Sequence, residues 1–102
     1  LGGNLASIHN RWENEFIRNL IYKKHHSYAR AWIGIYDAIQ EGKWLWTDGS
    51  TVGFTCWNRG EPNNQGGEHC TETNWNGATW NDAPCHLRKP FVCARKQLCH
   101  PV

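Results

Sequence analysis

The first ordered pattern along the chain begins at Asn10. Phe16, Ile17, Leu20 and Ile21 recur at helical spacing, Asn10 is a residue type suited to cap a helix, and Glu13 three positions on completes a capping-box pattern. This predicts one helix of about three turns, ended by Lys23, Lys24, His25 and His26, which read as a solvated basic loop. Ala31 to Tyr36, branched and aromatic around Gly34, predicts a buried strand. Lys43 to Thr47, where Trp44 and Trp46 alternate with Leu45, predicts another, closed by a turn at Asp48-Gly49. Further short strands are predicted around Cys70 to Asn74, Ala78 to Trp80 and Pro90 to Ala94. Trp32, Trp44, Trp46 and Trp80 fall on or beside these patterns and are read as core. One helix with several short strands reads as an α+β domain over residues 1–94, followed by a tail over residues 95–102.

The segment from Gly53 to Ala78 has neither period. It carries Gly60, Pro62, Gly66, Gly67 and Gly77 among Asn, Gln and Glu, and a long irregular loop in a small domain is usually functional or disordered. Cys56, Trp57 and Cys70 lie in or beside it, a load that disorder rarely carries.

With 102 residues the chain has room for one domain. Apolar residues are 39% and charged residues 20% of it, below the usual levels of about 45–50% and about 25%, so the core is modest and the loops are long. Seven Trp, five Cys and no Met fit a small secreted scaffold held by disulfides. The longest apolar runs fall far short of the roughly 20 residues that cross a bilayer, so no membrane insertion is expected. A net charge of +2 is too mild for a nucleic-acid footprint. Cys56, Cys70, Cys85, Cys93 and Cys99 contain no CxxC, which favours disulfides over zinc. Their odd number leaves a thiol that is free, joined to a second chain, or joined to protein outside this sequence.

The loop and the residues just after it present Glu61-Pro62-Asn63, Glu68 two residues before Cys70, and Trp80-Asn81-Asp82 three residues before Cys85. Three carboxylates and two amides, all oxygen donors, are what a hard cation such as calcium takes at 6–8 coordination. Pro62 allows a cis bond that would turn the Glu61 and Asn63 side chains toward one point, or an ordinary trans turn. Trp75, in a Gly-flanked polar stretch, is a candidate for sugar stacking or a partner surface, and His69 reads as a turn residue.

These residues carry a resemblance. Gly3-Asn4-Leu5-Ala6-Ser7-Ile8, Trp32-Ile33-Gly34-Ile35, Trp44-Leu45-Trp46-Thr47-Asp48-Gly49, Glu61-Pro62-Asn63, Glu68-His69-Cys70, Trp80-Asn81-Asp82 and Phe91-Val92-Cys93 occur in the order found in C-type lectin domains. The chain resembles that family over nearly its whole length, and fish lectins in particular. The resemblance implies a calcium site made by Glu61, Asn63, Glu68, Asn81 and Asp82, with two vicinal sugar hydroxyls completing the coordination. Each hydroxyl would donate to a carboxylate of Glu61 or Glu68 and accept from an amide of Asn63 or Asn81. In this family Glu-Pro-Asn goes with mannose-type sugars bearing equatorial 3- and 4-hydroxyls, and Gln-Pro-Asp with galactose.

The resemblance also implies a Cys70–Cys85 disulfide, which would constrain the unfolded chain by about 3 kcal/mol. It further implies a strand and a first helix upstream of Leu1, with a cysteine there as the partner of Cys93. Cys56 and Cys99 match no standard pair: they could bridge each other, reach the upstream segment or link two chains, and Cys99 in the tail is the candidate for linking two chains into a homo-oligomer. The expected function is a secreted, calcium-dependent lectin for mannose-type glycans on cell surfaces, used in innate immunity. The second reading is a domain of the same fold that binds a protein surface or ice. Glu61 and Glu68 could in principle serve a glycosidase, but no nucleophile and base accompany them and the resemblance implies no enzyme.

Overall fold

A computed structural model of the chain describes residues 3–64 and 67–95. The elements in order are β1 (Gly3–Leu5), α1 (Arg11–His25), β2 (Ala31–Ile33), β3 (Ile35–Tyr36), β4 (Leu45–Trp46), β5 (Cys70–Thr73), β6 (Asn81–Ala83) and β7 (Cys93–Arg95). They form three small antiparallel sheets: β1 with β7, β3 with β4, and a three-stranded sheet in the order β2-β5-β6. The architecture is α+β, as the sequence pattern predicts.

Helix α1 starts where its cap lies. Asn10 Oδ1 accepts the Glu13 N–H at 2.9 Å, and Glu13 Oε1 accepts the N–H of His9 at 2.7 Å, so the second arm of the box closes one residue before the cap. At 15 residues the helix exceeds the three turns expected, because Lys23, Lys24 and His25 form its last turn. Positive charge there suits the unpaired carbonyls of a helix C-terminus. His26, left-handed at φ 57°, ends the helix with its N–H on Tyr22 O at 2.7 Å. The basic cluster is therefore an exposed helix end and not a loop. Ile17 and Ile21 are buried, whereas Phe16 is 65% and Leu20 44% exposed. At about 100° per residue, Phe16 lies a quarter-turn off the Ile17–Ile21 line and Leu20 on its margin.

The strand expected over Ala31 to Tyr36 is two strands, broken at Gly34. The Gly34 N–H donates to Ala6 O at 2.9 Å and its carbonyl accepts the Thr47 N–H at 2.8 Å, and a Cβ there would meet Leu5 O at 2.6 Å. Backbone from two other segments crosses at that point, so no side chain fits. The strand expected at Ala78 to Trp80 lies instead at Asn81–Ala83: Trp80 makes only an isolated bridge to Trp57, and the ladder with β5 begins after it. The strand expected from Pro90 starts at Cys93, and Phe91 makes only a single bridge to Trp32. The strand expected over Lys43 to Thr47 shortens to Leu45–Trp46, followed by a turn in which the Gly49 N–H (φ +83°) meets Trp46 O at 3.0 Å. β1, which no periodicity announces, pairs with β7 with Leu5 opposite Cys93.

Trp80 is fully buried at the centre of the core. Trp46 and Trp57 meet it edge-on at 5.8 Å, and Phe54 at 6.0 Å. Its Nε1–H donates to Asn14 Oδ1 at 2.9 Å, and Asn14 Nδ2 donates to Ala78 O at 2.8 Å, so a buried polar pair ties α1 to the segment just before β6. Of the other tryptophans read as core, Trp46 is buried but Trp32 and Trp44 are half-buried.

A disulfide joins Cys70 to Cys85 and ties the start of β5 to the segment after β6. Cys56 is a half-buried thiol whose pKa burial pushes up, and Cys93 is an exposed thiol in β7. Cys99 and the rest of the tail beyond Arg95 lie outside the described residues. Among the described residues no helix is long and apolar enough to cross a membrane.

Candidate functional site

The site is built on β6. Asp82, fully buried, lies opposite Thr71 of β5 and uses both carboxylate oxygens on the loop. Oδ1 accepts the Asn63 N–H at 3.1 Å and Oδ2 the Asn64 N–H at 2.6 Å, so one buried carboxylate holds the two residues after Pro62. The Glu61–Pro62 peptide bond is cis.

Glu61 comes up against the same carboxylate. Its carboxyl is raised above the ordinary value of 4.5 by burial first, then by a hydrogen bond and negative charge from Asp82 and by the charge of Glu68. Glu61 Oε1 is buried and, among the described residues, has no hydrogen-bond partner. Glu61, Asn63, Glu68 and Asp82 are thus brought to one place. Asn81, the fifth residue singled out by sequence, is their neighbour through the backbone of β6, and the partner its amide has is elsewhere: Nδ2 donates to Glu72 Oε2 at 2.8 Å, directly across the β5–β6 ladder.

These residues fit a hard divalent cation. The donors are all oxygen, three are carboxylates, two of which raise the pKa of Glu61, and one carboxylate oxygen is orphaned where a cation would satisfy it. Each Asp82 oxygen keeps a lone pair beyond the one given to a backbone N–H.

A second group adjoins the first. His69 Nδ1 lies 3.0 Å from Asp37 Oδ1 and 3.7 Å from Glu41 Oε1, and the Gly42 N–H donates to Asp37 Oδ2 at 2.9 Å. Asn64 joins the two groups, its backbone on Asp82 and its Nδ2 donating to Glu41 Oε1. The Glu41 carboxyl is raised by desolvation, then by its hydrogen bond to Asp37 and the Asp37 charge. Sequence reasoning did not single out Asp37, Glu41, Glu72 or Lys89, and gave His69 only a turn role. Glu72 had one legible signal, a carboxylate inside a segment predicted to be a strand. Trp75 is half-buried, with the Arg30 guanidinium 4.2 Å above its ring.

The model of the lectin C-type domain matches residues 1–95. The chain belongs to the C-type lectin family. It is 50% identical over 95 residues to the galactose-specific lectin nattectin of the fish Thalassophryne nattereri, an alignment covering 92% of this chain and 60% of that protein. The C-type lectin CEL-I from Cucumaria echinata superimposes with a TM-score of 0.83 at 31% identity, over 89% of this chain and 66% of that one. A Ca2+-dependent type II antifreeze protein, in its Ca2+-free form, superimposes with a TM-score of 0.83 at 30% identity, over 93% of this chain and 74% of that one. The lectin domain here therefore spans about three-fifths of nattectin's length.

Proposed function

We propose that this lectin domain binds carbohydrate through calcium held by Glu61, Asn63, Glu68, Asn81 and Asp82, and that it acts as a binding protein and not an enzyme. The observation that carries the reading is the grip of buried Asp82 on the backbone of Asn63 and Asn64, beside a Glu61 carboxyl with an orphaned oxygen. A bound calcium ion would supply an electrophile for two vicinal sugar hydroxyls. Glu61 and Glu68 accept the hydroxyl protons as hydrogen bonds, and the amides of Asn63 and Asn81 donate to the hydroxyl oxygens.

Glu61-Pro62-Asn63 favours mannose-type sugars with equatorial 3- and 4-hydroxyls, and the likeness to the galactose-specific lectin nattectin favours galactose. A glycan array with and without calcium decides: calcium-dependent signal on mannose, glucose, N-acetylglucosamine or fucose supports the first, and on galactose the second. Binding undiminished in excess EDTA overturns both. A domain that binds calcium but no glycan would instead resemble the antifreeze neighbour in serving a non-sugar partner. The variant Glu61→Gln with Asn63→Asp is expected to move preference toward galactose.

A shallow single site of this kind gives millimolar affinity, about −4 kcal/mol. Recognition of cell-surface glycans in innate defence would then require several linked sites, in a secreted homo-oligomer joined by a disulfide or by non-covalent contacts. Agglutination by the oligomer and not by the reduced monomer is the expected result.

A further inference from the structure

A row of side chains leads from the half-buried Trp32 to the proposed site. In the order β2-β5-β6 the ladders place Trp32 opposite Glu72, and Glu72 opposite Asn81. Glu72 is 2% exposed and Asn81 6%. Glu72 Oε2 accepts from Asn81 Nδ2 at 2.8 Å, while Lys89 Nζ lies 3.0 Å from Oε1, off the angle of a hydrogen bond, and 5.5 Å from the centre of the Trp32 ring.

This arrangement fixes which way the Asn81 amide faces. Asn81 Nδ2 is the donor to Glu72 Oε2, so the NH2 is the end of the amide turned to Glu72. The amide oxygen is then on the branch away from Glu72. The NH2 has two protons, and Glu72 takes one of them. Lys89 places a positive charge 3.0 Å from the other carboxylate oxygen, Oε1, on the side away from Asn81.

We propose that Glu72, placed between Lys89 and Asn81, is a positioning residue that commits the Asn81 oxygen to calcium and its second amide proton to the sugar. The inference rests on the calcium reading above. Outer-sphere partners of this kind are commonly worth about 10–100-fold in metal affinity.

The test uses Glu72→Gln. Lys89 can only donate, so the carbonyl oxygen of the substituted side chain turns to Lys89 and its NH2 faces Asn81, which must then reverse its amide. Calorimetric titration with calcium chloride is expected to show an affinity about 10–100-fold weaker than wild type, with the melting temperature in EDTA little changed. Adding Lys89→Met removes the donor that oriented the new amide, lets that amide present its oxygen to Asn81, and is expected to restore calcium affinity to within a few-fold of wild type. The double variant buries no charge, so it keeps the test open if the single variant fails to fold.

Unchanged calcium affinity in Glu72→Gln overturns the proposal, as does a double variant that binds calcium no better than the single one. A lower melting temperature in EDTA with wild-type calcium affinity would also overturn it, by making Glu72 merely structural. If wild type itself binds no calcium, the calcium reading falls and this inference with it. If wild type binds and the variants match it, only the inference falls.

Discussion

The two sides of Trp80 are built on opposite terms. On the helix side Ile17 and Ile21 of α1 are buried in one apolar cluster with Ile8, Ile33 and Ile35, and Asn14 is the one buried polar residue of the helix. On the β5–β6 side Thr71, Glu72, Thr73, Asn74, Asn81 and Asp82 are all buried, and Ala83 is the apolar exception within β6. Apolar burial is non-directional and tolerates approximate fit, whereas a buried carboxylate or amide requires specific partners at specific angles. The helix side therefore supplies stability, and the hairpin side fixes where donors point.

The largest effect should come from Trp80→Ala, which removes a fully buried ring and the partner of Asn14, and so strikes both sides at once. A loss of about 3–5 kcal/mol is expected from urea unfolding. Replacing Cys70 and Cys85 together by Ser opens a loop with a sequence separation of 15 and affects the hairpin side alone. About 3 kcal/mol should be lost, with α1 helicity by circular dichroism kept at temperatures where the domain remains folded.

Acid acts on the hairpin side in a way that calcium reverses. The Glu61 carboxyl is raised above 4.5, so the calcium-free fold prefers it neutral: ionising it costs stability at neutral pH, and that stability returns as pH falls through the raised pKa toward 4.5. Calcium needs the ionised form. The rise in melting temperature produced by calcium should therefore shrink as pH falls through the raised pKa toward 4.5, and a rise that stays constant there would contradict the assignment of Glu61. The smallest effect is expected of Phe16→Ser. That ring is 65% exposed on α1, so stability should stay within about 0.5 kcal/mol of wild type.

The same contrast decides what could be read in advance. The helix was legible because Ile17 and Ile21 repeat at its period and because Asn10 and Glu13 mark its start. Its far end was not, because a basic run favours a helix C-terminus as readily as a loop. The oxygen donors were legible by type and spacing, and the structure brings four of them together. β6 was misplaced onto Ala78 to Trp80 because Asn81 and Asp82 look like loop residues until the β5 ladder buries them. The break at Gly34 and the hold of Glu72 on Asn81 both depend on which segment lies opposite, and no local pattern in one strand records that.

The central claim is that Asp82 organises a calcium-binding loop. Calorimetric titration of calcium chloride into wild type and Asp82→Asn tests it most directly, because an amide in place of the carboxylate turns a donor toward one of the two N–H groups that Asp82 now accepts. The account predicts saturable binding to wild type and, in Asp82→Asn, binding weaker by at least the roughly 10–100-fold that loss of an outer-sphere partner costs. No saturable binding to wild type at millimolar calcium, or equal affinity in the two proteins, would contradict it.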